Sequence, residues 1–396
     1  MNFIFISPNF PVIYSHFVKE LKAKGVNVLG IGDQPYDSLC DELKNNLTEY
    51  CFVSNMNNME WMINTVQYLK NKYGKIDFIE SNNEYWMRND AKLREWFNVE
   101  GGYRLHDLEV YQAKSKMKQY FQKAGLKTAR YIMVSSLEES LKFVKEVGYP
   151  VFAKPDSGVG AADTYKIKNE EDLRNFHNIA HQEPYIMEEF IKGSIVSFDG
   201  IANKECEVTI CFKETFPTPI AEVVSQNKDV YYFAKSKMPK AYREAGERIV
   251  KAFNISQRCF HIELWQLLED KPGLAKKGEV IALEANLRSP GGNTPDLLNL
   301  VSKCDYYETY ANMIVNNVSH LDNETDLVSY SINRKNTILY EHSSSDIMDK
   351  FSENLKEHGT YPQAFRDALG DEFFLFLFKH DAKKEKEFLD YVLAHK

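Results

Sequence analysis

Two hydrophobic periods divide the chain. In the first hundred residues, short runs rich in β-branched and aromatic residues at 3–7 (FIFIS), 26–32 (VNVLGIG) and 75–81 (KIDFIES) alternate with helical stretches. Met59–Tyr73 is one such stretch, with Trp61, Met62, Val66 and Leu69 at helical spacing. Strand and helix in alternation predict an open parallel sheet. Gly25 and Gly74 each follow a predicted helix, where a left-handed cap costs glycine least. From about residue 108 the order becomes helix, strand, helix, strand, and Ser136 stands in capping-box register with Glu139 ahead of Leu141, Phe143 and Val144. That segment predicts a compact α+β lobe. Beyond residue 194 the runs 194–202 (SIVSFDGIA), 206–212 (CEVTICF) and 219–225 (PIAEVVS) predict antiparallel strands of a larger sheet. The tail from about 322 adds strands and a helix closing on Phe388-Leu-Asp-Tyr-Val-Leu. No internal repeat and no Pro/Gly-rich linker interrupts the chain, which predicts closely packed lobes.

Length and composition fit this picture and narrow the function. A chain of 396 residues exceeds what one core usually supports, so two or three domains around a shared cleft are expected. With 43% hydrophobic and 27% charged residues and no bilayer-length apolar run, it reads as soluble, with no membrane partner. The opening residues lack a basic leader and a small-residue cleavage site, which predicts a cytoplasmic protein. Cysteines 40, 51, 206, 211, 259 and 304 form no C-x-x-C pair and read as reduced core residues. A formal charge of −8 argues against a broad nucleic-acid footprint. The turn Ser7-Pro-Asn-Phe-Pro lacks the glycines of a dinucleotide fingerprint, and no G-x-x-x-x-G-K-[ST] occurs. Asn83 and Glu84 follow the strand at 75–81, at the carboxyl end where open sheets place ligands.

The densest chemistry lies between Cys259 and Leu298. Strand-like segments 259–268 and 279–286 flank a polar stretch with Pro272-Gly273 and read as a hairpin. A symmetric hairpin around 269–278 pairs Glu263 with Glu284, at a Cβ separation of roughly 4.5–5.5 Å. Two facing carboxylates repel unless a cation lies between them. Asn286 falls on the same face two residues on, about 6.6 Å along the strand, and offers a third oxygen. Oxygen ligands of this kind suit magnesium, which keeps waters and shares nucleotide phosphates. Arg288 continues the alternation toward Pro290-Gly-Gly-Asn-Thr-Pro, where Thr294 is positioned to cap a helix starting at Pro295. An arginine beside a helix N-terminus suits an anion.

The run Glu284-x-Asn286-x-Arg288-x-x-Gly291-Gly292, with Glu263 upstream, resembles the metal-binding signature of the ATP-grasp ligase superfamily. The resemblance spans roughly residues 108–300, with its motifs in order. It implies an α/β protein in which two α+β lobes clasp ATP after an open parallel-sheet N-terminal domain. The expected divisions are 1–107 for that domain, 108–193 for the small lobe, 194–320 for the large lobe with the metal site, and 321–396 for a C-terminal α+β extension. It implies ATP and two Mg2+ ions, with Mn2+ able to substitute, held by Glu263, Glu284 and Asn286. Lys114, with Lys116 and Lys118 as competitors, and Lys154 are the implied phosphate contacts. The segment 156–163 then becomes a glycine lid, in which Ser157, Gly158 and Gly160 bring backbone amides to phosphate. Within IMEEFIKGSIVSFDG, Glu188 would accept from the adenine amino group, Glu189 and Ile191 would present backbone atoms to the ring edge, and Phe190 would belong to the same nucleotide-binding segment. The acidic residue many relatives use for ribose is Ile195 here, which leaves Asp199 or another residue for that task. The implied activity is ADP-forming ligation of a small carboxylate, often an amino acid, to an amine through an acyl phosphate, with Arg288 neutralising the acid and Lys154 the phosphates. A homodimer is the assembly implied by family habit. A carboxylase-like or thiol-directed relative, or a regulator without turnover, is the alternative. His261 and the stretch 231–235 are either acid-pocket lining or core.

Overall fold

The runs expected as strands in the first hundred residues form a parallel sheet: β1 (Asn2–Ile6), β2 (Asn27–Gly32), β3 (Glu49–Phe52) and β4 (Phe78–Glu80), in the order β3-β2-β1-β4. Every residue of β1 is buried, because helices cover both faces of a parallel sheet and alternation is lost. The computed structural model describes residues 1–157, 163–219, 222–223, 226–363 and 366–396. Met59–Tyr73 is helical and buries Met62, Val66 and Leu69. Trp61, expected on that apolar face, lies off the stripe and is 47% exposed. Gly25 and Gly74 take positive φ at their helix ends, as their positions require.

The next lobe is a four-stranded antiparallel sheet of β5 (Tyr131–Met133), β6 (Val151–Pro155), β7 (Tyr165–Ile167) and β8 (Tyr185–Glu189), ordered β5-β8-β6-β7. Its helix Leu137–Val147 is capped by the Ser136 hydroxyl, which accepts from the Glu139 N–H at 3.2 Å. Among the described residues the third sheet has eight strands. In chain order these are β9 (Gly193–Ala202), β10 (Val208–Phe216), β11 (Val230–Lys235), β12 (Arg258–Leu267), β13 (Val280–Asn286), β14 (Leu327–Arg334), β15 (Leu355–Thr360) and β16 (Glu372–Lys379). In space they run β13-β12-β9-β10-β11-β14-β16-β15, each antiparallel to its neighbours.

Two expectations change here. The division at residue 320 does not separate two sheets, because β14 pairs with β11 and carries the C-terminal strands onto the large lobe. The run 219–225 is not a strand where it is described: Glu222 and Val223 are helical and donate to the Pro219 carbonyl at 2.9 and 3.0 Å. Pro217 and Pro219 remove ladder donors just past β10, so pairing stops at Phe216. The N-terminal sheet is fixed to the large sheet by an aromatic cluster, in which Phe17 meets Tyr306, Tyr307 and Tyr310 edge-on. It is fixed again by Glu80, which accepts from Arg94 at 2.8 Å and from Arg258 at 3.0 Å, all three buried. The six cysteines are free thiols. Among the described residues no helix is long and apolar enough to cross a membrane.

Candidate active site

β12 and β13 form the hairpin the sequence predicts, and Glu263 pairs with Glu284 while His261 pairs with Asn286. The hairpin is not symmetric. Between Glu263 and Leu264 the register slips by one at a bulge, so the loop-side pairs, such as Gln266 with Val280, differ from a regular ladder. On the other flank β9 supplies Ser197 beside Glu263 and Asp199 beside His261. Because cross-strand partners share a face, Glu284, Glu263, Asn286, His261 and Asp199 stand on one side of three adjacent strands.

Their electrostatics follow from this crowding. Glu284 is half-buried, and burial together with the facing Glu263 charge raises its pKa. Burial works the same way on Glu263, but His261, Arg288 and Lys154 outweigh it and hold that carboxyl below its ordinary value. Burial alone would lower the pKa of His261; instead Asp199 and Glu263 push it up to about 10. The ring reaches Asp199 through Nδ1 at 2.5 Å and Glu263 through Nε2 at 3.1 Å. One carboxylate kept ionised opposite another that its charge opposes is a donor set suited to a hard divalent cation.

The lysines come from the small lobe. Lys154 is the penultimate residue of β6 and pairs with Ile186 of β8, and because Phe152 pairs with Glu188 the alternation puts Lys154 and Glu188 on one face of the sheet. The Glu188 carboxylate lies between Lys154 and Lys118, at 2.6 Å from each Nζ. Burial opposes its charge, yet the two ammonium groups hold Glu188 down at about 2. Burial lowers Lys118, which sees Glu188 against nearby Lys154, whereas Lys154 is held up by Glu188, Glu284 and Glu263 together. Lys114 opens the helix Lys114–Lys123, and its backbone N–H donates to the Asp156 carbonyl at 2.8 Å. The Asp156 carboxylate accepts from the N–H and hydroxyl of Ser115, both at 2.8 Å, and so caps the helix from outside. Ser157 bridges to Ala113. Gly158 and Gly160, with most of the expected lid, lie outside the described residues.

Several expected roles meet different surroundings. The Glu188 side chain, expected on adenine, is engaged by two lysines. The Glu189 carboxylate is held by Arg130 at 2.6 Å and Lys271 at 3.5 Å, and its backbone N–H donates to the Arg130 carbonyl at 3.0 Å. Phe190 lies under Lys166 and beside Phe152, and Ile191 is buried. Asp199, a candidate for ribose, is fully buried in mid-strand and occupied by His261 and the Ser197 hydroxyl. Thr294 does not cap the helix Thr294–Leu300; its hydroxyl turns inward to Glu214 at 3.2 Å. Of the stretch 231–235, Tyr232 is buried and stacks on Phe216.

At the seam with the N-terminal sheet, Arg288 reaches the Glu84 carboxylate through Nε at 3.3 Å. Glu84, noted for its place past a strand's carboxyl end, thus faces the arginine of the metal motif. Lys118 as a partner of Glu188, and Asp199 as a partner of His261, were not assigned from the sequence. The helical spacing of Lys118 from Lys114 was a signal for the first; the second depends on which strand borders β12.

The ATP-grasp domain family model matches residues 112–254. D-alanine-D-alanine ligase B of Clostridium perfringens is 36% identical over 83 residues, 20% of this chain and 28% of that protein. Alanine-anticapsin ligase of Bacillus subtilis is 29% identical over 228 residues, 50% of this chain and 47% of that one. The chain thus spans about half or less of these curated relatives. Among solved structures, an L-amino acid ligase from Bacillus licheniformis aligns with TM-score 0.70 at 14% identity, over 98% of this chain and 97% of that one, which shows a common fold. Residues 112–254 thus match the ATP-grasp domain, and the chain as a whole shares the fold of that ligase.

Proposed function

We propose that the chain is an ATP-dependent, ADP-forming ligase that joins a small carboxylic or amino acid to an amine. The observation that carries this reading is the meeting of three groups at one cleft: the Glu263–Glu284 pair, Lys154 with Glu188, and Arg288 at the N-terminal seam. Glu263, Glu284 and Asn286 would hold magnesium, which supplies charge neutralisation at the transferring phosphoryl group. Lys154 and Lys114 would bind nucleotide phosphates, with Glu188 keeping Lys154 charged and aimed into the cleft until they arrive. Arg288 would take the substrate carboxylate, and Glu84 orients its guanidinium meanwhile. In the reaction a carboxylate oxygen attacks the γ-phosphorus and ADP leaves. The amine then adds to the acyl carbon, phosphate departs with the carboxylate's oxygen, and the amine proton passes to solvent or phosphate.

Nucleotide product analysis with a panel of amino acids and amines tests the reading. ADP and inorganic phosphate, formed only when acid and amine are both present, support it. AMP with pyrophosphate would contradict it, and ATP binding without turnover across the panel would favour a regulator.

A further inference from the structure

The row behind the paired carboxylates contains a chain of contacts that phosphoryl transfer does not itself require. The Ser197 hydroxyl donates to Asp199, Asp199 faces His261 Nδ1 at 2.5 Å, and His261 Nε2 faces the Glu263 carboxylate at 3.1 Å. Asp199 and Ser197 are fully buried, and His261 is 6% exposed. A ring clamped at both nitrogens cannot rotate without breaking a buried charge-supported hydrogen bond, so the Glu263 oxygen that it meets is fixed in place. Partners of metal-binding carboxylates and imidazoles act in this way elsewhere, and removing one typically weakens metal binding about 10–100-fold.

We propose that His261 is a positioning residue, locked by Asp199 and Ser197, that sets the orientation of the Glu263 carboxylate for a divalent cation bound with nucleotide. The inference rests on the reading of Glu263 as a metal ligand. Asp199 is thereby assigned to the metal side of the cleft and not to ribose. The strands dictate this: the β12–β9 register puts Asp199 opposite His261, and the alternation of β12 puts His261 two residues from Glu263 on the same face. Glu214, whose carboxylate lies near the same group, has its Oε1 occupied by Thr294 and closes the row on the far side.

The test uses the full chain, ADP, and Mn2+ as the probe cation. Free Mn2+ is read by electron paramagnetic resonance, and ADP affinity without metal by calorimetry. His261→Gln should weaken Mn2+ binding in the presence of ADP about 10–100-fold, with metal-free ADP affinity unchanged. Asp199→Asn keeps the shape and should give a smaller loss of the same kind, and the double variant should be no worse than His261→Gln alone, because both act through one bond. If His261→Gln proves unfolded by circular dichroism, Asp199→Asn decides by the same readouts. Mn2+ affinity within twofold of wild type in the folded variant overturns the positioning role if Glu263→Gln does lose Mn2+. If Glu263→Gln also keeps Mn2+, the metal reading itself falls, and the positioning role falls with it.

Discussion

Replacing Glu80 by Gln should cost more stability than almost any other single isosteric change in this chain. Glu80 ends β4 with its carboxylate between Arg94 and Arg258, at 2.8 and 3.0 Å, and each arginine is 1% exposed. Burial opposes its charge, but the two arginines prevail and hold the carboxyl below its ordinary range. Both guanidiniums donate to Oε2 while Oε1 accepts from the Ser81 and Asn82 N–H groups, so glutamine keeps the shape but loses the charge and sets its NH2 against one of these two donor pairs. A hydrogen bond to a charged group is worth about 1.5–3 kcal/mol, and breaking a buried ion pair costs about 3–5 kcal/mol, so a loss of about 4 kcal/mol is expected. Urea unfolding at pH 7, followed by tryptophan fluorescence, measures it. Because Glu84 lies four residues on and meets Arg288, a loosened β4 should also raise the KM for the acid more than it lowers kcat. A loss below about 1 kcal/mol, with KM unchanged, would refute the claim that this buried triad anchors the N-terminal sheet.

Three further outcomes follow from the same geometry. Burial and the Glu80 charge raise Asp90 to about 7, so its contribution to stability is present below the ordinary carboxylate pKa and is lost as pH rises toward about 7; in Asp90→Asn, urea midpoints measured from pH 4 to 8 should lose that part of the slope. Gly246→Ala, normally favourable in a helix, places a Cβ 2.3 Å from the Phe198 ring of β9 and should destabilise by about 1–3 kcal/mol in the same urea assay. Glu284→Gln should keep the wild-type circular dichroism spectrum and lose at least about a hundredfold in ADP release at limiting magnesium, since a cation between the carboxylates needs both charges; wild-type turnover there would remove the metal role.

How far the fold could be read from the sequence depended on sequence distance. The Glu263–Glu284 pairing was readable because the turn and both strands lie within thirty residues and a period of two fixes the face. Even so, the bulge beside Glu263 was not, since an inserted residue leaves no compositional mark. The neighbours of that hairpin are set by non-local pairing: β9 borders β12 across about sixty residues, and β14 joins β11 from the tail. No local pattern encodes such partners, so ribose was left to Asp199 or another residue, and the C-terminal strands were read as an extension and not as part of the large sheet. Thr294 stood at a cap position by local rules, yet the helix begins one residue earlier, with Asn293 at its N-cap, and the Thr294 hydroxyl donates to the buried Glu214. The two lysines on Glu188 belong to the same class, because three elements converge on one carboxylate.

The central claim, activation of a carboxylate by γ-phosphoryl transfer, is tested most directly by following oxygen. The panel's best amino acid, labelled with 18O in both carboxylate oxygens, is incubated with ATP, magnesium and hydroxylamine as the amine, and the products are weighed by mass spectrometry. The account predicts a hydroxamate, ADP, and inorganic phosphate carrying one 18O per turnover, because the attacking oxygen leaves with the phosphate. Label in AMP, or unlabelled phosphate alongside hydroxamate, would contradict it.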